Sequence, residues 1–258
     1  MILAIDVGNT DTVFAISRRK KLIANWRVST AKVKTEDECW LTLELFFKQK
    51  TIRKEEIRGV VISSVVPNVT TILEMMTIKY YRLTPVIVSA DLDIGLKIRY
   101  DTPKAIGADR LCNAVAAYKK YGGPCIVVDF GTATTFDVVS KRGEYLGGAI
   151  APGIETASGE LHRRAALLPK IELRFPENVI GTNTVTSMQS GILYGALDAM
   201  EGMITRIRKV IGIKATVIAT GGFSKLIVKK SKTFDYVEPT LVLEGAMLIY
   251  ERVRGTSG

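Results

Sequence analysis

The chain has 258 residues, 47% of them hydrophobic and 24% charged, a composition that builds a packed core and excludes intrinsic disorder, collagen and a disulfide scaffold. Its 36 Lys and Arg against 26 Asp and Glu leave a formal charge of +10. The basic residues are dispersed, no aromatics alternate with them, and zinc, helix-turn-helix and RNP signatures are absent, so the charge reads as solvated surface suited to an anionic substrate rather than a nucleic-acid face. The longest uncharged stretch, Asn178–Leu197, carries Asn, Thr, Ser and Gln throughout and reads as no membrane span. The first ten residues lack a basic leader, and Cys39, Cys112 and Cys125 are widely spaced. Reduced thiols and a cytoplasmic location are therefore expected.

In chain order, β-branched runs predict strands at Ile2–Ile5 and Thr12–Ile16, a hairpin turn around Arg18–Lys21 and a third strand over Leu22–Val28. A helix near Glu36–Lys48, a strand Val60–Val66, a helix Val69–Tyr80 and a strand Val86–Ser89 follow. Leu111, Ala114, Val115 and Tyr118 then mark one face of a helix with Asp109 in its first turn. Strands at Ile126–Val128, Thr135–Val139 and Tyr145–Ile150 lead to helices near Glu155–Leu167 and Thr184–Ile211 and a strand Thr216–Ala219.

An internal repeat organises these elements. Asp6-Val-Gly-Asn-Thr-Asp-Thr-Val-Phe-Ala-Ile reappears about half a chain later as Asp129-Phe-Gly-Thr-Ala-Thr-Thr-Phe-Asp-Val-Val, with Asp6 matching Asp129, Gly8 matching Gly131 and Thr12 matching Thr135. Each copy reads as strand, tight glycine turn, antiparallel strand. The expected fold is α/β: two similar lobes with mixed sheets around a central cleft, the first over residues 1–120 and the second over 121–258.

A glycine turn aims backbone N–H groups at a phosphate, and Thr10, Thr12, Thr132, Thr134 and Thr135 are short enough to add hydroxyl donors. The Asp that ends the preceding strand can hold a cation directly or through water. The same residues also suit ordinary hairpins; it is their repetition at half-chain spacing that favours nucleotide binding. Ala219-Thr-Gly-Gly-Phe-Ser adds a strand-to-helix turn where backbone can pass close to a flat ring such as adenine.

These three elements resemble the acetate and sugar kinase, Hsp70 and actin superfamily. Gly107-Ala-Asp-Arg, Gly147-Gly-Ala-Ile-Ala-Pro-Gly, Ala166-Leu-Leu-Pro, Asn183-Thr, Gln189-Ser-Gly and the two Asp-x-Gly turns closely resemble type III pantothenate kinase from Met1 to about Arg252. The resemblance implies actin-like, ribonuclease H-like lobes and ATP-dependent phosphorylation of pantothenate, the first step of coenzyme A synthesis. It implies ATP binding by Asp6, Val7, Gly8, Asn9, Thr10, Asp11, Thr12, Val13 and Thr132, and a monovalent cation, K⁺ or NH₄⁺, on Asp129 beside Mg²⁺. It implies pantothenate binding by Tyr100, Gly107, Ala108, Asp109 and Arg110, with Asp109 as the base. Thr184 would come from the partner subunit of a homodimer.

Read by themselves, Asp109 equally suits a helix start, Arg110 an exposed surface, Tyr100 a strand end and Thr184 a helix N-cap. Asn113 is four residues beyond Asp109 and shares its helix face. The apolar stripe Met188, Ile192, Leu193, Leu197, Met200, Met203 and Ile204 is broader than a lone lobe would bury, which points to a partner. Gly159 should weaken its helix by roughly 1 kcal/mol relative to Ala, His162 reads as surface, and Trp26 and Trp40 read as packing residues. Two alternatives remain at this stage: a nucleotide-binding transcriptional regulator of the same fold, and another small-molecule kinase of the superfamily. The intact Gly107-Ala-Asp-Arg favours the pantothenate enzyme, with no membrane and no nucleic acid expected as partner.

Overall fold

The computed structural model describes residues 1–212 and 214–255. They form two compact units: Met1–Lys119 with the segment that starts at Leu241, and Lys120–Thr240.

The first unit opens with β1 (Ile2–Val7), β2 (Asp11–Arg18) and β3 (Lys21–Ser29), followed by α1 (Glu36–Gln49), β4 (Gly59–Ser64), α2 (Pro67–Met76), β5 (Val86–Ile87), the short β6 (Lys97–Ile98) and α3 (Ala108–Tyr121). Its sheet runs β3-β2-β1-β4-β5. β1 is antiparallel to β2 and parallel to β4. The predicted hairpin between β2 and β3 closes with Arg19 and Lys20, both left-handed at φ 50 and 66, as a two-residue turn matching the sheet's twist requires. Thr35 caps α1, accepting the Glu38 amide at 3.2 Å, and Cys39, Leu43 and Phe47 turn one face of that helix into the core. Trp26 stacks on Phe46 at 5.4 Å and Trp40 on Tyr80 at 4.2 Å, the packing role expected of both.

The second unit carries β7 (Cys125–Phe130), β8 (Ala133–Val139), β9 (Glu144–Pro152), α4 (Ile154–Arg164), α5 (Thr184–Ile211), β10 (Thr216–Thr220), α6 (Ser224–Val228) and β11 (Tyr236–Val237). The strands β11, β10, β7, β8 and β9 lie side by side in that order. β7 is antiparallel to β8 and parallel to β10. This repeats the first sheet strand for strand, so the sequence repeat is a repeat of topology. Each unit has its own hydrophobic cluster, around Leu3, Ile5, Leu43 and Leu73 in the first and Ile126, Val128, Leu193 and Ile204 in the second.

Three differences from expectation have physical causes. α7 (Leu241–Gly255) packs on β1 and β4, so the chain end expected in the second lobe returns to the first unit. A Cβ at Gly59 would overlap the Tyr250 ring, and one at Gly245 would overlap the Cys112 carbonyl; both glycines let α7 lie flat. Second, the stripe on α5 does not wait for a partner: Met188, Ile192, Leu193, Leu197, Met200 and Ile204 are all buried in the second unit's own core, with Met203 packed against them. Third, α4 ends at Arg164 rather than near Leu167, because Ala165 turns to extended backbone at φ -111 and ψ 105.

Candidate active site

The first turn is built by a residue the sequence motifs did not mark. Gly8 N–H donates to the Asp11 carbonyl at 2.9 Å, closing the turn, and Thr30 clamps it from behind. The Thr30 amide donates to the Thr10 carbonyl at 2.9 Å and its hydroxyl to the Gly8 carbonyl at 2.7 Å. Thr12, expected to face a phosphate, is fully buried with its hydroxyl 3.0 Å from that of Thr30. Val7 is buried too, Asp11 pairs with Arg27 at 3.3 Å, and Asn9 and Thr10 are the exposed residues of the turn.

The second turn is one residue tighter. Val7 faces Thr12 across the first hairpin, whereas Phe130 faces Thr134 across the second. Thr134 therefore takes the buried place of Thr12, and Thr135 stands opposite Asp129 as Val13 stands opposite Asp6. Because a slip of one residue exchanges sheet faces, the two threonines matched by sequence have opposite surroundings. Thr135 donates to Asp137 at 3.2 Å, and Tyr145 donates to the same buried carboxylate at 2.7 Å. The Thr132 carbonyl accepts from the Gly153 amide at 3.1 Å and the Thr156 hydroxyl at 2.6 Å, which seats the start of α4 against the turn while Thr132 itself is exposed.

Asp129 lies beside Thr220 on the parallel neighbour β10. Gly221 follows at φ +86, and a Cβ there would overlap the Asp129 carboxylate and stand 2.6 Å from the Phe130 amide nitrogen. The glycine turn after β10 thus presses on the end of β7, joining two of the sequence motifs within the second unit.

Asp109 occupies the first turn of α3, as expected. Its carboxylate accepts the Arg110 amide at 2.8 Å. A Cβ at Gly107 would stand 2.5 Å from that oxygen and 3.5 Å from the Val65 side chain. Val65 in turn donates its amide to the Val7 carbonyl at 3.1 Å, so Gly107-Ala-Asp-Arg is seated at the ends of β4 and β1, next to the first turn. Burial pushes the Asp109 carboxyl above its usual range, offset in part by the Arg110 amide and guanidinium. Arg110 is itself buried at 6% exposure, not a surface residue. Two residues on, Cys112 is fully buried, its thiol pushed up first by burial and then by the Asp6 charge. The Asp109 charge pushes the same thiol up further.

Tyr100 is half-buried in the same unit. Thr184 is the exposed first residue of α5 in the second unit; the cap is Asn183, which accepts the Thr186 amide at 3.0 Å. His162 is exposed, with its ring nitrogen 2.7 Å from the Leu168 carbonyl. All three cysteines are buried and free. Among the described residues no helix is long and apolar enough to cross a membrane.

The sequence model of a family described as type III pantothenate kinase matches residues 2–206. Type III pantothenate kinases of Halalkalibacterium halodurans and Moorella thermoacetica are 46% and 48% identical over 252 residues, covering 98% of this chain and 99% of each relative. In fold the chain is similar to (R)-2-hydroxyglutaryl-CoA dehydratase component A of Acidaminococcus fermentans, at TM-score 0.58 and 14% identity over 99% of this chain and 98% of the other. It is also similar to the activator of 2-hydroxyisocaproyl-CoA dehydratase from Clostridium difficile, solved with bound ADPNP, at TM-score 0.53 and 12% identity over 99% and 96%.

Proposed function

The chain belongs to the type III pantothenate kinase family, and from that premise we propose how its residues share the transfer of the γ-phosphoryl group of ATP to pantothenate. The observation that carries this reading is the seat of Asp109: a half-buried carboxylate of raised pKa, at the first turn of α3, beside the strand ends that carry Asp6. Asp109 orients the primary hydroxyl of pantothenate and accepts its proton as the new O–P bond forms and the bond to the β-phosphate oxygen breaks. A carboxyl shifted upward by burial is a stronger base than one in water. Tyr100, Gly107, Ala108 and Arg110 bind the acceptor, with Arg110 facing its carboxylate, since a guanidinium holds carboxylates through two parallel bonds.

The exposed Asn9 and Thr10 of the first turn, with Asp6, Gly8 and the backbone of Val7, Asp11, Thr12 and Val13, bind ATP, as does Thr132 of the second turn. A kinase of this family uses ATP and a divalent metal. Mg²⁺ takes oxygen ligands, keeps several waters and needs only one or two protein carboxylates beside the phosphates. Asp6, the end-of-strand carboxylate with a hydroxyl beside it, fits that demand. When bound, the metal neutralises phosphate charge. Asp129, pressed by Gly221 and flanked in register by the hydroxyl residues Thr135 and Thr220, offers the oxygen surroundings that K⁺ or NH₄⁺ takes. The enzyme acts as a cytoplasmic homodimer in which Thr184 reaches the partner's acceptor.

An ADP-release assay with pantothenate against a panel of other hydroxyl compounds tests the reading. Turnover with pantothenate is expected to exceed that with every other acceptor, and ATP-dependent turnover confined to a sugar or to acetate would overturn it.

A further inference from the structure

β4 reads Gly-Val-Val-Ile-Ser-Ser, and Val60, Val61, Ile62 and Ser63 are all fully buried. A hydroxyl sealed into such a strand is costly unless it is hydrogen-bonded, so its partners show what it is for. Strand alternation sends the two serines to opposite faces. Ser64 turns to the start of α2, where it accepts the Val66 amide at 3.1 Å and the Thr70 hydroxyl at 2.7 Å. Ser63 turns the other way. It stands directly beside Asp6 in the parallel register of β1 and β4, and donates to the Asp6 carboxylate at 3.1 Å.

Ser63 has one proton to give, and it goes to the carboxylate, a charge-assisted bond stronger than one to a neutral acceptor. The repeat supplies the same arrangement a second time: Thr220, at 2% exposure, occupies the register position beside Asp129 that Ser63 occupies beside Asp6.

We propose that Ser63 is the positioning residue for Asp6. Resting on the reading of Asp6 as the carboxylate that faces the metal of Mg·ATP, it holds one carboxylate oxygen so that the other is aimed at the metal and its waters. Outer hydrogen-bond partners of metal-facing groups are worth 10–100-fold in affinity.

The test is calorimetry of Mg·ATP binding without pantothenate, combined with a Mg²⁺ titration of turnover and thermal melting. Ser63→Ala is expected to melt cooperatively, bind Mg·ATP roughly tenfold more weakly and need roughly tenfold more Mg²⁺ for half-maximal rate, with KM for pantothenate unchanged. Ser63→Thr, which keeps the hydroxyl, should recover to within about threefold. If Ser63→Ala does not fold, Ser63→Cys, similar in size but a weaker donor, should show an intermediate loss. A folded Ser63→Ala or Ser63→Cys with wild-type Mg·ATP affinity overturns the proposal, as does a folded Ser63→Thr no better than the alanine variant. Because the binding measurement omits the acceptor, it stands apart from the functional reading: a wild-type chain inert toward pantothenate would sink that reading while the calorimetry still decides on Ser63.

Discussion

Gly245 of α7 lies against the backbone of Cys112 in α3 so closely that a Cβ at the glycine would overlap the cysteine carbonyl oxygen and stand 2.7 Å from its Cα. A backbone cannot yield as a side-chain tip can. Gly245→Ala is therefore expected to push α3 away from the sheet, lowering stability by about 1–3 kcal/mol. Since Asp109 rides on the first turn of α3, turnover should fall by more than the melting temperature alone explains. Denaturant unfolding and kcat at a temperature where the variant stays folded would check this; a stable variant with wild-type kcat would contradict it.

Asp109→Asn should lose roughly 10²-fold or more in turnover while still binding ATP. Near wild-type kcat would remove Asp109 from the base role.

The same substitution carries a pH signature. The folded Asp109 carboxyl titrates above its ordinary value because of burial, so folding favours its protonated form. That stability is present below the unfolded pKa, about 3.9, and is lost as pH rises through the raised folded value. Asn mimics the protonated form. The variant is expected to melt above wild type at pH 7, with the gap closing toward pH 4. A variant that melts lower at pH 7, or a gap independent of pH, would contradict the burial account.

Asp129 is proposed to hold the monovalent cation. Turnover should persist in potassium buffer and collapse when a bulky organic cation replaces it, and K⁺ should raise the melting temperature of wild type but not of Asp129→Ala in the presence of ATP. Equal rates and equal melting in both buffers would take the cation out of the mechanism.

For the proposed shared acceptor pocket, inactive Asp109→Asn and Thr184→Arg chains should recover activity when mixed, because in a mixed dimer one pocket carries both lesions and the other neither. The burial of the α5 stripe in its own unit removes the apolar-surface argument for a dimer, so sedimentation must accompany the mixing. Full activity in a monomer, or no rescue in verified mixed dimers, would overturn the assignment.

Much of this protein was legible in its sequence because local patterning reports on local structure. Alternating β-branched residues and a glycine marked both hairpins, apolar spacing placed Asp109 in the first turn of α3, and the repeat foretold two sheets of one topology. What sequence could not settle were relations that depend on which surface covers which. Thr12 and Thr135 align as letters, yet the second turn is one residue tighter and exchanges their faces. Thr30 and Ser63 sit far along the chain from the turns and carboxylate they brace, and no spacing rule links them. The stripe on α5 looked too wide for one lobe until the strands of its own unit were laid beneath it, and α7 belonged to the second half by number but to the first by packing. Short-range preference is written in neighbouring side chains; register, clamping and burial follow from long-range contacts, and only the folded chain brings those together.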